Sequence, residues 1–95
     1  KETIIGNNNF IMKHSHIGHD CIIHNNTTIS CGAKIGGHCI IHDEVNIGLN
    51  AVIHQRVEIP KGCMIGASAF VGKKSVLRER YKYAGVPVKP IGVNI

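Results

Sequence analysis

The sequence predicts an all-β chain wound as a parallel prism of short stacked strands, and three observations carry that prediction. First, a branched aliphatic residue returns every sixth position, at Ile5, Ile11, Ile17, Ile23, Ile29, Ile35, Ile41, Ile47, Ile53, Ile59, Ile65, Val71 and Leu77, without a gap. Second, the residue four places later is mostly small or apolar, as at Ser15, Cys21, Thr27, Ala33, Cys39, Val45, Ala51, Val57, Cys63, Ala69 and Ser75. Third, glycine follows the aliphatic residue at positions 6, 18, 36, 48, 66 and 72. A repeat this regular is read before any other feature.

A period of six fits neither the 3.6-residue helical turn nor a heptad, so the aliphatic residues would scatter around a helix. Six is a multiple of two, so in a strand every one of them falls on the same side, and β-branched residues favour that conformation. Gly6-Asn7-Asn8-Asn9, Asn25-Asn26 and Gly36-Gly37 are expected to supply corners with unusual backbone angles. One strand and one corner per hexapeptide, three per coil, make a triangular prism of a little over four coils, about 4.8 Å apart. The prism is expected to span residues 1–77. The charged segment from Lys73 to Tyr83 is expected to break the period. Residues 78–95 then form a C-terminal loop and an extended tail laid along the prism, since 84–95 hold two prolines and two glycines. The N-terminal edge has no visible cap, and such edges invite pairing. The chain starts mid-repeat at Lys1, so upstream coils or another subunit are expected to cover that edge.

Composition agrees. Ninety-five residues allow one domain with a modest core. Four aromatics among 43% apolar residues point to a narrow, uniform interior rather than a globular one. The formal charge is +5. Lys73, Lys74, Arg78, Arg80, Lys82 and Lys89 face a single acid, Glu79, in the last quarter, which suggests a polyanionic partner. Nucleic acid is not expected, because no recognised binding motif accompanies the charge. Cys21, Cys39 and Cys63 take the small inward position and read as reduced, buried thiols. With no signal peptide and no apolar run of membrane length, a cytoplasmic location without a membrane span is expected.

The repeat also sorts seven histidines. Residues 18 apart lie above one another, so Gly18, Gly36 and His54 form one column, His19, Gly37 and Gln55 a second, and Asp20, His38 and Arg56 a third. His24 and His42 stack on a different edge. The first group has the parts for base catalysis. A histidine can take a proton from a hydroxyl or amine near neutrality, worth about 10²–10⁴ in rate. A neighbouring carboxylate fixes its tautomer, and a glycine N–H can face an oxyanion, worth about 10²–10³. The plain alternative is that these are solvated corner residues.

The segment Gly6-Asn-Asn-Asn-Phe-Ile-Met-Lys-His-Ser-His-Ile-Gly-His-Asp-Cys21, continued through His38 and His54-Gln55, resembles the UDP-N-acetylglucosamine acyltransferases of the hexapeptide-repeat superfamily. Ile65-Gly-Ala-Ser-Ala-Phe-Val-Gly-Lys-Lys-Ser-Val76 and Ala84-Gly-Val-Pro-Val-Lys-Pro-Ile-Gly92 resemble the coenzyme A segments of its sugar-nucleotide acetyltransferases. The resemblance implies a left-handed parallel β-helix, against the usual crossover preference, assembled as a homotrimer with active sites between prisms. It implies His19 as general base, Asp20 as its orienting partner and Gly37 as oxyanion donor. His16, His38, His54 and Gln55 would bind substrate. Gly66, Ala67, Ser68, Lys73, Lys74 and Lys89 would bind the thioester donor. The expected reaction moves an acyl group, acetyl from acetyl-CoA first, to a hydroxyl or amine of a sugar nucleotide, with no metal. An acyl-carrier-protein donor is the alternative. The helical domain and first coils of the first group are absent from this sequence. Two further alternatives are a trimeric zinc carbonic anhydrase, for which His14 and His19 have a plausible spacing, and a scaffold without turnover.

Overall fold

The computed structural model describes residues 2–94, so Lys1 and Ile95, counted above in the prism and the tail, lie outside the described residues. Twelve two-residue strands wind round three faces. The first face holds β1 (Ile4–Ile5), β4 (Ile22–Ile23), β7 (Ile40–Ile41) and β10 (Glu58–Ile59). The second holds β2 (Phe10–Ile11), β5 (Thr28–Ile29), β8 (Asn46–Ile47) and β11 (Met64–Ile65), followed by β13 (Tyr81–Ala84) and β14 (Lys89–Val93). The third holds β3 (His16–Ile17), β6 (Lys34–Ile35), β9 (Val52–Ile53) and β12 (Phe70–Val71). Every pair between coils is parallel and 18 residues apart, as in Ile17 with Ile35 and Ile35 with Ile53. Backbone bonds such as Ile22 N–H to Cys39 O (2.9 Å) and Ile40 N–H to Val57 O (3.0 Å) repeat the same step.

The interior is the six-residue ladder. From Ile23 to Val71 every ladder residue is buried, and Cys21, Ala33, Cys39, Val45, Ala51, Val57, Cys63 and Ala69 fill the space between them. Each buried isoleucine contributes about 1.5–3 kcal/mol, and the small residues let three walls close on one axis. The three inward thiols each donate to a carbonyl 15 residues on: Cys21 to Gly36 (3.1 Å), Cys39 to His54 (3.1 Å) and Cys63 to Arg78 (2.9 Å). Burial pushes the Cys39 and Cys63 thiols above their ordinary range. At the start of the ladder Ile5 and Ile11 are 45% and 41% exposed, because no coil among the described residues lies beneath them.

Two expectations change. The corners take a left-handed backbone, but not at Gly6, Gly36 or Gly37. Within the expected segments positive φ does fall at Asn8 and Asn26, and elsewhere it falls at Asp20, His38 and Arg56 among others. The early glycines serve closeness instead: a Cβ on Gly36 would lie 2.7 Å from Gln55 N, and one on Gly18 2.7 Å from Gly37 N. The period also continues past Leu77. Tyr83 occupies the next ladder position on the second face, stacked on Ile65 and buried, with its hydroxyl accepting from Arg78 N–H (2.7 Å). An aromatic ring at the end of the ladder fills width that isoleucine fills within it. The tail is therefore a cap: Phe70 N–H donates to Gly85 O, Val88 N–H donates to Phe70 O (both 3.0 Å), and β14 returns antiparallel along β13.

Candidate functional site

The third corner, where each strand of the third face turns towards the first, gathers the chemistry. His19-Asp20 follow β3, Gly37-His38 follow β6 and Gln55-Arg56 follow β9, held in register by His38 N–H to His19 O and Arg56 N–H to Gly37 O (both 2.9 Å). Asp20, His38 and Arg56 all have φ near +60° (58°, 60° and 63°), which turns the chain sharply and sets their side chains on one rigid edge.

His19 Nδ1 lies 2.9 Å from Asp20 Oδ2, and His38 Nε2 lies 3.7 Å from the same oxygen. The two imidazoles meet edge to face at 5.0 Å between centroids. The carboxylate is the more sheltered partner, 21% exposed, while the His19 side chain is 74% exposed. A carboxylate on Nδ1 holds the proton there and leaves Nε2 free to accept one. His19 Nε2 points towards Gly37, where a Cβ would come within 2.8 Å of it. Among the described residues the Gly37 N–H donates to no acceptor. An imidazole nitrogen able to accept a proton thus stands beside a backbone N–H that donates to no acceptor among the described residues.

The expected residues are not all brought together. His19, Asp20, Gly37 and His38 form one contact group. His54 and Gln55 sit one coil on, with His54 Nδ1 3.1 Å from Gln55 O. His16 stands apart, outward on β3 in register with Lys34. Gly66, Ala67 and Ser68 make the second corner, at the other end of β12 from Lys73 and Lys74, and Lys89 lies on β14. These six are not one cluster within a single chain. Lys73 and Lys74 follow β12 as Gln55 and Arg56 follow β9, so they prolong the columns of His19 and Asp20. Extending the 18-residue ruler by one coil would have found that. His24 and His42 stack in parallel planes 5.0 Å apart, as their column predicts. Glu58, 2.5 Å from His42 Nε2, went unnoticed because it is outward on the first face, 16 residues on rather than 18.

The six-repeat bacterial transferase hexapeptide family matches residues 2–37. Together with the coil geometry, this match agrees with the fold of the hexapeptide-repeat transferases, a left-handed parallel β-helix. The particular likeness is to acyl-[acyl-carrier-protein]–UDP-N-acetylglucosamine O-acyltransferases. The Campylobacter lari (strain RM2100) protein of that name is 69% identical over 68 residues, which are 70% of this chain and 26% of that protein. A crystal structure of a UDP-N-acetylglucosamine acyltransferase superposes with TM-score 0.94 at 37% identity, over 99% of this chain and 36% of that one. A Brucella abortus serine acetyltransferase in complex with coenzyme A superposes with TM-score 0.85 at 27% identity, over 96% and 40%. The chain spans about a quarter of the length of the curated relatives it matches.

Proposed function

We propose that this chain carries the catalytic edge of an acyltransferase that moves an acyl group from a thioester to a hydroxyl of a sugar nucleotide. The observation that carries the reading is His19, oriented by Asp20 through Nδ1 and set over Gly37 with its unclaimed N–H. His19 Nε2 takes the acceptor proton as the acceptor oxygen attacks the thioester carbonyl. Gly37 N–H meets the oxygen that becomes negative, and the C–S bond then breaks. The proton passes from His19 to the departing thiolate, so the products are an ester and a free thiol. No covalent enzyme intermediate is needed, since Cys21, the nearest candidate in sequence, is buried and donates inward. His38, His54 and Gln55 bind the acceptor beside the base, and His16 approaches it from the third face.

The named relatives support UDP-N-acetylglucosamine as acceptor and an acyl-carrier-protein thioester as donor, which moves acetyl-CoA from first place to second. The coenzyme A complex of a serine acetyltransferase at lower identity, together with the basic run at Lys73 and Lys74, favours the acetyl-CoA reading. Both donors are anionic, and Lys73, Lys74 and Lys89 would meet either. Gly66, Ala67 and Ser68 lie across β12 from those lysines, so one donor site using both sets would draw on two adjacent prisms. That arrangement supports a homotrimer. A cytoplasmic location follows from such substrates. No helix of the described residues is long and apolar enough to cross a membrane.

The test is a transfer assay of the protein with UDP-N-acetylglucosamine and either an acyl-carrier-protein thioester or acetyl-CoA. Ester formation that is lost in His19→Ala, with the melting temperature unchanged, is the expected result. Turnover unaffected by that substitution overturns the assignment.

A further inference from the structure

The edge that holds the base also has the donor set of a first-row divalent cation. His19, Asp20 and His38 each offer one ligand atom, and those atoms lie within 4.8 Å of one another. A zinc ion bonded at about 2.1 Å to three atoms in tetrahedral array holds them about 3.4 Å apart. Two of the separations here are 2.9 Å, from His19 Nδ1 to Asp20 Oδ2, and 3.7 Å, from Asp20 Oδ2 to His38 Nε2, and all three lie within 4.8 Å, so side-chain rotations would bring them to one ion. Asp20 and His38 stand on the same left-handed corner of successive coils, which fixes the spacing between them before any ion arrives. The other paired histidines differ. His24 and His42 lie in nearly parallel planes, 6° apart, and the nearest carboxylate, Glu58, is bonded to His42.

We propose that His19, Asp20 and His38 bind one zinc-type cation per chain and that binding switches the base off. Two imidazoles and a carboxylate suit Zn²⁺, Co²⁺ and their neighbours, and three ligands leave a position for water. A metal on Nδ1 takes that nitrogen's lone pair and displaces the proton shared with Asp20. The neutral ring then carries its hydrogen on Nε2, the atom that must accept the substrate's proton. Catalysis stops because the tautomer is wrong. This rests on the reading of His19 as general base only for its effect on turnover, and the binding itself does not.

Titration of the protein with Zn²⁺ by calorimetry, and with Co²⁺ by visible absorption, tests the site without any substrate. One equivalent per chain with a four-coordinate Co²⁺ spectrum is expected. His38→Ala and Asp20→Asn should weaken binding by more than the 10–100-fold that loss of an outer partner costs. A variant replacing both His24 and His42 by Ala should bind as the parent does. No binding, or binding kept in His38→Ala and lost in the His24/His42 variant, overturns the proposal. Where transfer is measurable, stoichiometric Zn²⁺ should abolish it and a chelator restore it. A bound ion that leaves transfer unchanged refutes the switch. Binding in a protein with no transfer under any condition sinks the acyltransferase reading and leaves the metal site standing.

Discussion

The third corner of the prism and the first are built on the same backbone, yet their polar groups are paired differently. Two residues after the ladder, the first corner holds Asn7, Asn25 and Asp43 in a column. The lower two N–H groups are each taken by the side chain above: Asn7 N–H donates to Asn25 Oδ1 (2.7 Å) and Asn25 N–H to Asp43 Oδ1 (2.9 Å). The same position on the third corner holds His19, Gly37 and Gln55, and among the described residues the Gly37 N–H donates to no acceptor. Both corners carry a histidine pair with a carboxylate. On the first, the rings stack and the acid closes an ion pair with the upper ring. On the third, the carboxylate stands between two rings set edge to face, and the lower ring leans over a glycine. A closed ladder of side-chain acceptors makes a structural edge. On the third corner Gly37 has no side chain to take the His19 N–H, and Gln55 does not take the Gly37 N–H, so the ladder of acceptors is broken there.

The sharpest way to break this contrast is to exchange histidines for alanine on each corner. His19→Ala should cost about 10²–10⁴ in the rate of acyl transfer, whereas His42→Ala should leave the rate near that of the parent, both read in a steady-state assay. Ile41→Ala comes next. It lies under the first face, between the two corners, and is fully buried. Its loss should cost about 2–5 kcal/mol in denaturant unfolding and loosen both edges alike. Gly37→Ala sharpens the comparison from the other side. The added Cβ pushes against His19 Nε2, and a base misplaced by about 1 Å costs about 10²-fold, with the melting temperature little changed. Asn25→Ala should reverse that pattern. It removes the acceptor of the Asn7 N–H, so stability should fall by about 1 kcal/mol while transfer is untouched. The smallest effect is a control on both edges. An alkylating reagent should label Cys31, which is exposed, and spare Cys39 and Cys63, whose thiols are buried and hard to ionise. Rapid loss of the Cys39 thiol would mean that the catalytic edge opens, and the rigid-corner account would fail.

The fold was legible because its signal is redundant. Thirteen aliphatic residues at one spacing set the strand-and-corner step, and residues 18 apart had to meet once strands were parallel with three to a coil, whereas the left hand came only from the resemblance. That is how His19, Gly37 and Gln55 came to one edge before any coordinates. The corner glycines were misread because sequence shows that a glycine is present, not whether it is there for its backbone angle or its size. Gly36 is there for size, and His38 carries the angle.

What the sequence determined by itself is the ladder, the columns and the burial of three cysteines, since each depends only on period. Tertiary structure alone decided the rest. It seated Tyr83 as the last ladder residue and turned the tail into a cap, because end packing has no repeat to announce it. It set the Asp20 carboxylate between His19 and His38 and left Gly37 N–H open. Those are matters of side-chain direction and of which acceptor reaches a donor first, and a six-residue period is silent on both.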